Sequence, residues 1–232
     1  MKSGRIVILT GAGISAESGL GTFRDVGGIW TQYDVAEVAT PEGFARDPAL
    51  VRRFYDARRE NALAASPNAA HHALARLEAA MGDRLTLITQ NIDTLHEAAG
   101  HRRVWHMHGR IDRARCADCG SVTPWAGPMT AEDTCGDCNA VGRLRPDVVW
   151  FGEMPMMLED IADALACADL FVAIGTSGAV YPAAGFVADA RVQGAKTLEL
   201  NLERSDVTSL FDETRLGPAS DLVPRWVDEL TG

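Results

Sequence analysis

The residues of this chain whose types and spacing could do chemistry are four cysteines, a strand-borne histidine and a glycine-rich turn. Cys116-x-x-Cys119 and Cys135-x-x-Cys138 stand fifteen residues apart. Each pair aims two thiolates at one tetrahedral ion, and four thiolates leave no coordination position open, so the pattern predicts structural zinc. Redox-active or merely clustered thiols are the alternative. Gly11, Gly13 and Ala16 fall at the spacing of a dinucleotide-binding turn whose third glycine is alanine. Small residues there let the backbone approach a pyrophosphate, making Gly11, Ala12, Gly13, Ile14 and Ser15 a phosphate cradle. An ordinary strand-to-helix connection explains that turn equally well by itself.

The residues just beyond the turn add weight. Gly19 and Gly21 break the helix early and leave Thr22-Phe23-Arg24-Asp25 as a lid-like loop, which points to dinucleotide chemistry other than hydride transfer. Gln90-Asn91-Ile92-Asp93 sits at the carboxyl end of a strand, Leu85 to Thr89, where ligands of open α/β sheets bind. Helix capping explains Asp93 but neither Gln90 nor Asn91. Val104 to His108 alternates like a strand, placing His106 and His108 on one face. Alternation does not choose between them; Gly109 favours His108 as a general base by opening space at the strand's tip.

The elements that must position these groups are those of one α/β domain. The chain has 232 residues, 47% of them apolar, enough for a single core with a small inserted lobe. Ile6 to Leu9, Leu85 to Thr89, Leu170 to Ile174 and Thr197 to Leu200 read as buried strands, and Val148 to Phe151 as another. Thr40-Pro41 and Asp47-Pro48 predict two helix starts, the second helix running from Pro48 to about Ala65. Further helices are expected over Pro67 to Met81, Met157 to Cys167 and Ala183 to Gly194, with Ser220-Asp221 capping a terminal one. Cys167 is expected as a small core residue. Gly175-Thr176-Ser177 forms a second glycine and hydroxyl loop at a strand's end. No acid follows the second strand of a standard fingerprint, so Asn201 and Glu203 are the better candidates for ribose and adenine.

Twenty-two basic against 32 acidic residues give −10, which opposes a general affinity for nucleic acid or anionic membrane and suits a basic, lysine-bearing partner. Apolar runs are too short for a membrane span or secretory signal, and patterned cysteines fit a reducing compartment, so a cytoplasmic protein is expected.

Taken together, GAGISAESGLGTFRD, TQNIDTLHEAAG, HMHGR, the paired CxxC turns, RPDVVWFGE, GTSGAVYP and LNLE resemble the sirtuin family of NAD-dependent protein lysine deacylases, from about Ile6 to Leu230 and in the family's order. The resemblance implies a Rossmann-type parallel-sheet lobe, approximately 1–34, 83–110 and 147–232, a helical insertion at 35–82 and a zinc ribbon at 111–146. It implies that Gly11 to Ser15 bind pyrophosphate, that Phe23 and Arg24 close over NAD, that Trp30 is a further cofactor contact, and that Gln90, Asn91, Ile92 and Asp93 hold the nicotinamide end. Gly175, Thr176, Ser177, Asn201, Leu202, Glu203 and Ala219 would hold the adenosine. His108 would be the catalytic base, with Asn91 and Asp93 beside it in the chemistry.

Val149, Phe151, Gly152 and Glu153 would offer a strand edge to an acyl-lysine peptide. Tyr55 and Arg58, which alone read as a half-buried tyrosine beside a solvated arginine, would recognise an acidic acyl group such as succinyl or malonyl. NAD would be consumed as co-substrate, zinc would be structural, and the protein would act as a monomer. Three rival readings stand beside this one: an NAD-dependent oxidoreductase, a mono-ADP-ribosyl transferase, and a zinc-ribbon NAD sensor that binds nucleic acid.

Overall fold

The computed structural model describes residues 4–21 and 33–232. In chain order come β1 (Ile6–Thr10), α1 (Ala12–Ala16), α2 (Val35–Val38), α3 (Pro41–Arg46), α4 (Pro48–Ala64), α5 (Ala69–Met81) and β2 (Leu85–Thr89). Then follow α6 (Leu95–Ala98), β3 (Val104–His106), β4 (Gly109–Cys116), β5 (Val122–Pro124), β6 (Leu144–Val148) and α7 (Leu158–Ala166). The chain finishes with β7 (Leu170–Ile174), α8 (Phe186–Val192), β8 (Lys196–Asn201), β9 (Glu213–Leu216) and α9 (Ala219–Thr231).

Six strands form one parallel sheet in the order β3-β2-β1-β7-β8-β9. β1 is buried at every residue because helices cover both faces. Ile6 and Ile8 pack with Leu74 and Leu77 of α5 and with Val223 and Trp226 of α9. Val7 and Leu9, on the other face, meet Ile161 and Leu165 of α7 and Phe186 and Val187 of α8. Each such side chain contributes about 1.5–3 kcal/mol on leaving water. The winding reverses between β1 and β7, paired from Ile6↔Leu170 to Thr10↔Ile174. Sheets of this kind bind ligands beyond the strand ends at that reversal.

A second sheet, antiparallel with order β5-β4-β6, carries the four cysteines on its strands and connecting loops. Helix α4 bridges it to the rest. Asp47 accepts from the Leu50 amide to start α4, as the Asp-Pro pair predicts, and Thr40 caps α3 in the same way. Val51, Phe54 and Tyr55 of α4 pack with Ile111, Val148 and Trp150. On a neighbouring face Arg59 donates to the carbonyls of Ile111 at 2.8 Å and Gly127 at 3.1 Å, and Arg52 donates to that of Gly142 at 2.6 Å.

Several expectations are corrected. The strand expected over Val148 to Phe151 ends at Val148; its pairing partner β4 begins at Gly109, and Val149 to Glu153 form a turn. Likewise β3 stops at His106, because Met107 and His108 turn into Gly109 at φ +79°. A Cβ at Gly109 would stand 2.1 Å from the Asp147 carbonyl oxygen. Cys167 is exposed rather than in the core. Ser220 does not cap α9; its amide and hydroxyl both donate to the Glu17 carboxylate, at 2.9 and 2.6 Å. Strand β9 is not expected from the sequence, because Glu213, Thr214 and Arg215 mask its alternation. Among the described residues no helix is long and apolar enough to cross a membrane.

Candidate functional site

At the reversal the two glycine loops are laced together. Gly11 N–H donates to Ile174 O at 3.0 Å and Gly13 N–H to Gly175 O at 2.9 Å. A Cβ on Gly13 would lie 2.7 Å from Gly175 Cα, and one on Gly11 equally close to Gly175 O. Only glycine permits this approach, and the bare backbone so exposed is what a pyrophosphate cradle requires. Ile14 supplies only backbone here, since its side chain is fully buried in the core. Asn201 Nδ2 donates to Thr176 O at 2.7 Å, and Gly217 N–H to Asn201 O, bringing Ala219 at the start of α9 towards the same mouth. Leu202 and Glu203 are exposed beyond the end of β8.

From the β2 side Asn91 and Asp93 reach across to this turn. Asn91 Nδ2 donates to Gly11 O at 3.0 Å and to Ser15 Oγ at 3.1 Å, and the Ser15 hydroxyl donates to Asp93 Oδ2 at 3.0 Å. The other Asp93 oxygen accepts from the N–H of Leu95, the first residue of α6, whose N-cap is Thr94. Burial pushes the Asp93 carboxyl above the usual range, against the Leu95 and Ser15 donors and the charge of His106. Gln90 is half-buried, and Ile92 O accepts from Ile111 N, tying this loop to the second sheet.

The structure separates the two histidines that alternation left equal. Both nitrogens of His106 are already engaged, by Asn91 O at 3.3 Å and Glu97 Oε1 at 2.8 Å, so neither faces open space. Burial is outweighed at Glu97 by that bond and by the charges of His106 and Arg110, which hold its carboxyl below the usual range. His108 Nδ1 meets Gln90 O at 3.0 Å. A carbonyl only accepts, so Nδ1 carries the hydrogen and Nε2 is the basic nitrogen. Nε2 has no hydrogen bond among the described residues, and burial lowers the ring's pKa, opposed by the Gln90 bond.

On α4, Tyr55 is buried and accepts from Trp150 Nε1 at 3.0 Å; burial raises the pKa of its phenol. The Arg58 guanidinium carbon lies 5.6 Å from the Tyr55 ring centroid. Burial lowers the Arg58 pKa while Tyr55 and Asp93 oppose the shift, leaving a charged fork. In the turn, Val149 N–H donates to His108 O and Phe151 N–H to Ala39 O, while Phe151 and Gly152 are exposed. The Glu153 carboxylate is held by Arg145, at 2.6 and 2.9 Å, and by Trp150 N–H at 2.8 Å.

The four cysteine sulfurs lie within 4.8 Å of one another, with Cys116–Cys138 and Cys119–Cys135 each at 3.7 Å. A zinc–thiolate tetrahedron with bonds of about 2.3 Å has edges near 3.8 Å, so the set fits that ion. Phe23, Arg24 and Trp30 lie outside the described residues. Three participants are invisible in the sequence: Ser15 as the link to Asp93, Trp150 as donor to Tyr55, and Arg145 beneath Trp150. Nothing in their local spacing marks Asp93 and Tyr55 as partners 78 and 95 residues away, or Arg145 as stacked on the indole of Trp150.

A doubly wound sheet with a glycine cradle at its reversal, a histidine beside it and a four-thiol cluster that fits zinc is the arrangement of a nucleotide-binding enzyme with a metal-stapled lobe. The family model described as "Sir2 family" matches residues 11–182. The NAD-dependent protein deacylase of Caulobacter vibrioides is 58% identical over 229 residues, covering 97% of this chain and 96% of that one. A crystal structure of a Sir2 homologue–NAD complex aligns with TM-score 0.89 and 38% identity over 98% of this chain and 89% of the other. A Sir2 mutant bound to a deacetylated p53 peptide and 3′-O-acetyl ADP-ribose aligns with TM-score 0.82 and 30% identity, covering 97% and 93%. The chain belongs to the Sir2 family, the sirtuins.

Proposed function

We propose that the protein is an NAD-dependent protein lysine deacylase that removes acidic acyl groups, succinyl and malonyl, as well as acetyl. The observation that carries the reading is His108, whose Nδ1 is fixed by Gln90 O, next to the linked Asn91, Ser15 and Asp93. The named relatives support the same chemistry.

In this reading NAD is a substrate whose ribose carbon is attacked by the amide oxygen of an acyl-lysine. Such an oxygen is a weak nucleophile, so the site must loosen the bond to nicotinamide while excluding water. Asp93 and Asn91 orient the nicotinamide end, with Phe23 and Arg24 closing over it and Trp30 a further cofactor contact. Gly11 to Ser15 hold the pyrophosphate. Gly175 to Ser177, Asn201, Leu202, Glu203 and Ala219 hold the adenosine. His108 Nε2 then takes a proton from a ribose hydroxyl, which attacks the acyl carbon. Lysine leaves as its C–N bond to the acyl carbon breaks, and one water molecule, admitted only after nicotinamide has gone, adds to the bridged acyl carbon, so the products are free lysine, nicotinamide and O-acyl-ADP-ribose. The peptide lies along Val149 to Glu153, Arg58 and Tyr55 take the distal carboxylate, and Cys116, Cys119, Cys135 and Cys138 hold zinc away from the chemistry. The protein works as a cytoplasmic monomer on acylated proteins, and its net charge of −10 opposes nucleic-acid binding.

The test pairs acetyl-lysine and succinyl-lysine peptides with NAD and measures nicotinamide release and peptide mass. The parent should deacylate both and His108→Tyr neither. Arg58→Met should lose desuccinylation while keeping most deacetylation; equal losses on both substrates would remove the acidic-acyl part of the reading.

A further inference from the structure

We infer that Trp150 sets acyl specificity by fixing the direction in which the Tyr55 hydroxyl donates; the inference rests on the acyl-pocket reading of Tyr55 and Arg58. An indole N–H only donates, so at 3.0 Å from Trp150 Nε1 the Tyr55 oxygen must accept. A guanidinium is also a pure donor, so Arg58 cannot take the hydroxyl hydrogen either. That hydrogen has no acceptor among the described residues and is committed to a third partner, which must accept. The carboxylate of a succinyl or malonyl group is such a partner. An acetyl group ends in a methyl and is not.

Trp150 is itself held from three sides. Arg145 lies over the indole with its guanidinium carbon 3.5 Å from the ring centroid, and Phe44 stands 5.2 Å away. Arg145 grips the Glu153 carboxylate, which in turn accepts from Trp150 N–H. Arg145 and Phe44 flank the indole itself, while the Glu153 bond to the Trp150 backbone N–H fixes the main chain that carries it. Glu153, which the resemblance implies lines the peptide edge, is also a positioning residue for Trp150.

The test is Trp150→Phe, which keeps an aromatic ring and removes the N–H. KM for a succinyl-lysine peptide should rise about tenfold, the worth of one hydrogen bond to a charged group, with kcat and the acetyl KM each moving less than about twofold. Tyr55→Phe should show the same selective loss, and the double variant should add nothing to it. An unchanged succinyl KM, equal losses on both substrates, or additive losses in the double variant would overturn the inference. Should Trp150→Phe not fold, Tyr55→Phe alone decides, and a loss that ignores acyl type overturns it. If Arg58→Met is selective and Trp150→Phe is not, only this inference fails. If Arg58→Met is itself unselective, the acyl-pocket reading has failed first.

Discussion

The hydroxyl of Ser15 donates to Asp93 Oδ2 at 3.0 Å, joining the first turn after β1 to the loop after β2. Burial raises the Asp93 pKa, so its ionised form costs the fold stability: its contribution is complete below the unfolded value and is lost as pH rises through the folded one. Asp93→Asn should therefore slow nicotinamide release by about 100-fold, the scale of one lost preorganised charge, while melting no lower than the parent at pH 7. Nicotinamide assays beside thermal melts check this, and a variant inactive because it unfolds would sink it.

His108 predicts the acid limb of the rate profile. Its ring is held below the ordinary value by burial, against the Gln90 bond, so the neutral base is present at pH 7. The logarithm of kcat/KM should stay level down to about pH 6.5 and fall below it. A profile already falling between pH 8 and 7 would contradict this assignment.

Three further imidazoles, His71, His96 and His101, are buried against one another, with ring centroids 5.0 and 5.4 Å apart along the series. Burial lowers the pKa of each, that of His71 to about 4. A depressed folded pKa means stability that is present above the unfolded value, near 6.5, and is lost as pH falls through the folded one. Urea midpoints should therefore drop between pH 6.5 and 4, each ring adding at most about 1.4 kcal/mol per pH unit. His71→Gln should flatten the slope, and an unchanged slope in that variant would count against the account.

Zinc removal should reach the acyl pocket. Arg52 and Arg59 of α4 place their guanidinia on carbonyls of the second sheet and its loops. If the ribbon loosens, both buried cations lose carbonyl acceptors, at about 1–3 kcal/mol for each, and Arg59 keeps only Asp56 of its own helix. Chelation should lower the melting temperature and both acyl activities, and metal analysis should find one zinc per parent chain and none in Cys135→Ser. Full activity in zinc-free protein would refute the coupling.

The chemistry-bearing residues were legible because each lies in a local pattern: Cys116 and Cys119 across one turn, Gly11 and Gly13 across another, Gln90 to Asp93 at one strand end. Strands buried on both faces, such as Ile6 to Leu9, announced themselves by composition. Less legible were features set by distant partners. His106 and His108 share a strand pattern, and only Glu97 and Gln90 tell them apart. Trp150 looks in the sequence like one residue of a continuing strand, whereas the ladder ends at Val148, opposite the first residue of β4, Gly109. Edge strand β9, with polar residues at most positions, carries too little apolar signal to be read.

The pairing of β1 with β7 also bears on how the chain matures. Strand β1 leaves the ribosome first, yet one wall of its nucleotide crevice is Gly175. Contacts between such widely separated segments close slowly, since a long loop must be brought together before they stabilise anything. A chain stopped short of β7 has only half a crevice, so the nucleotide site is assembled only when Gly175 has closed on Gly11 and Gly13.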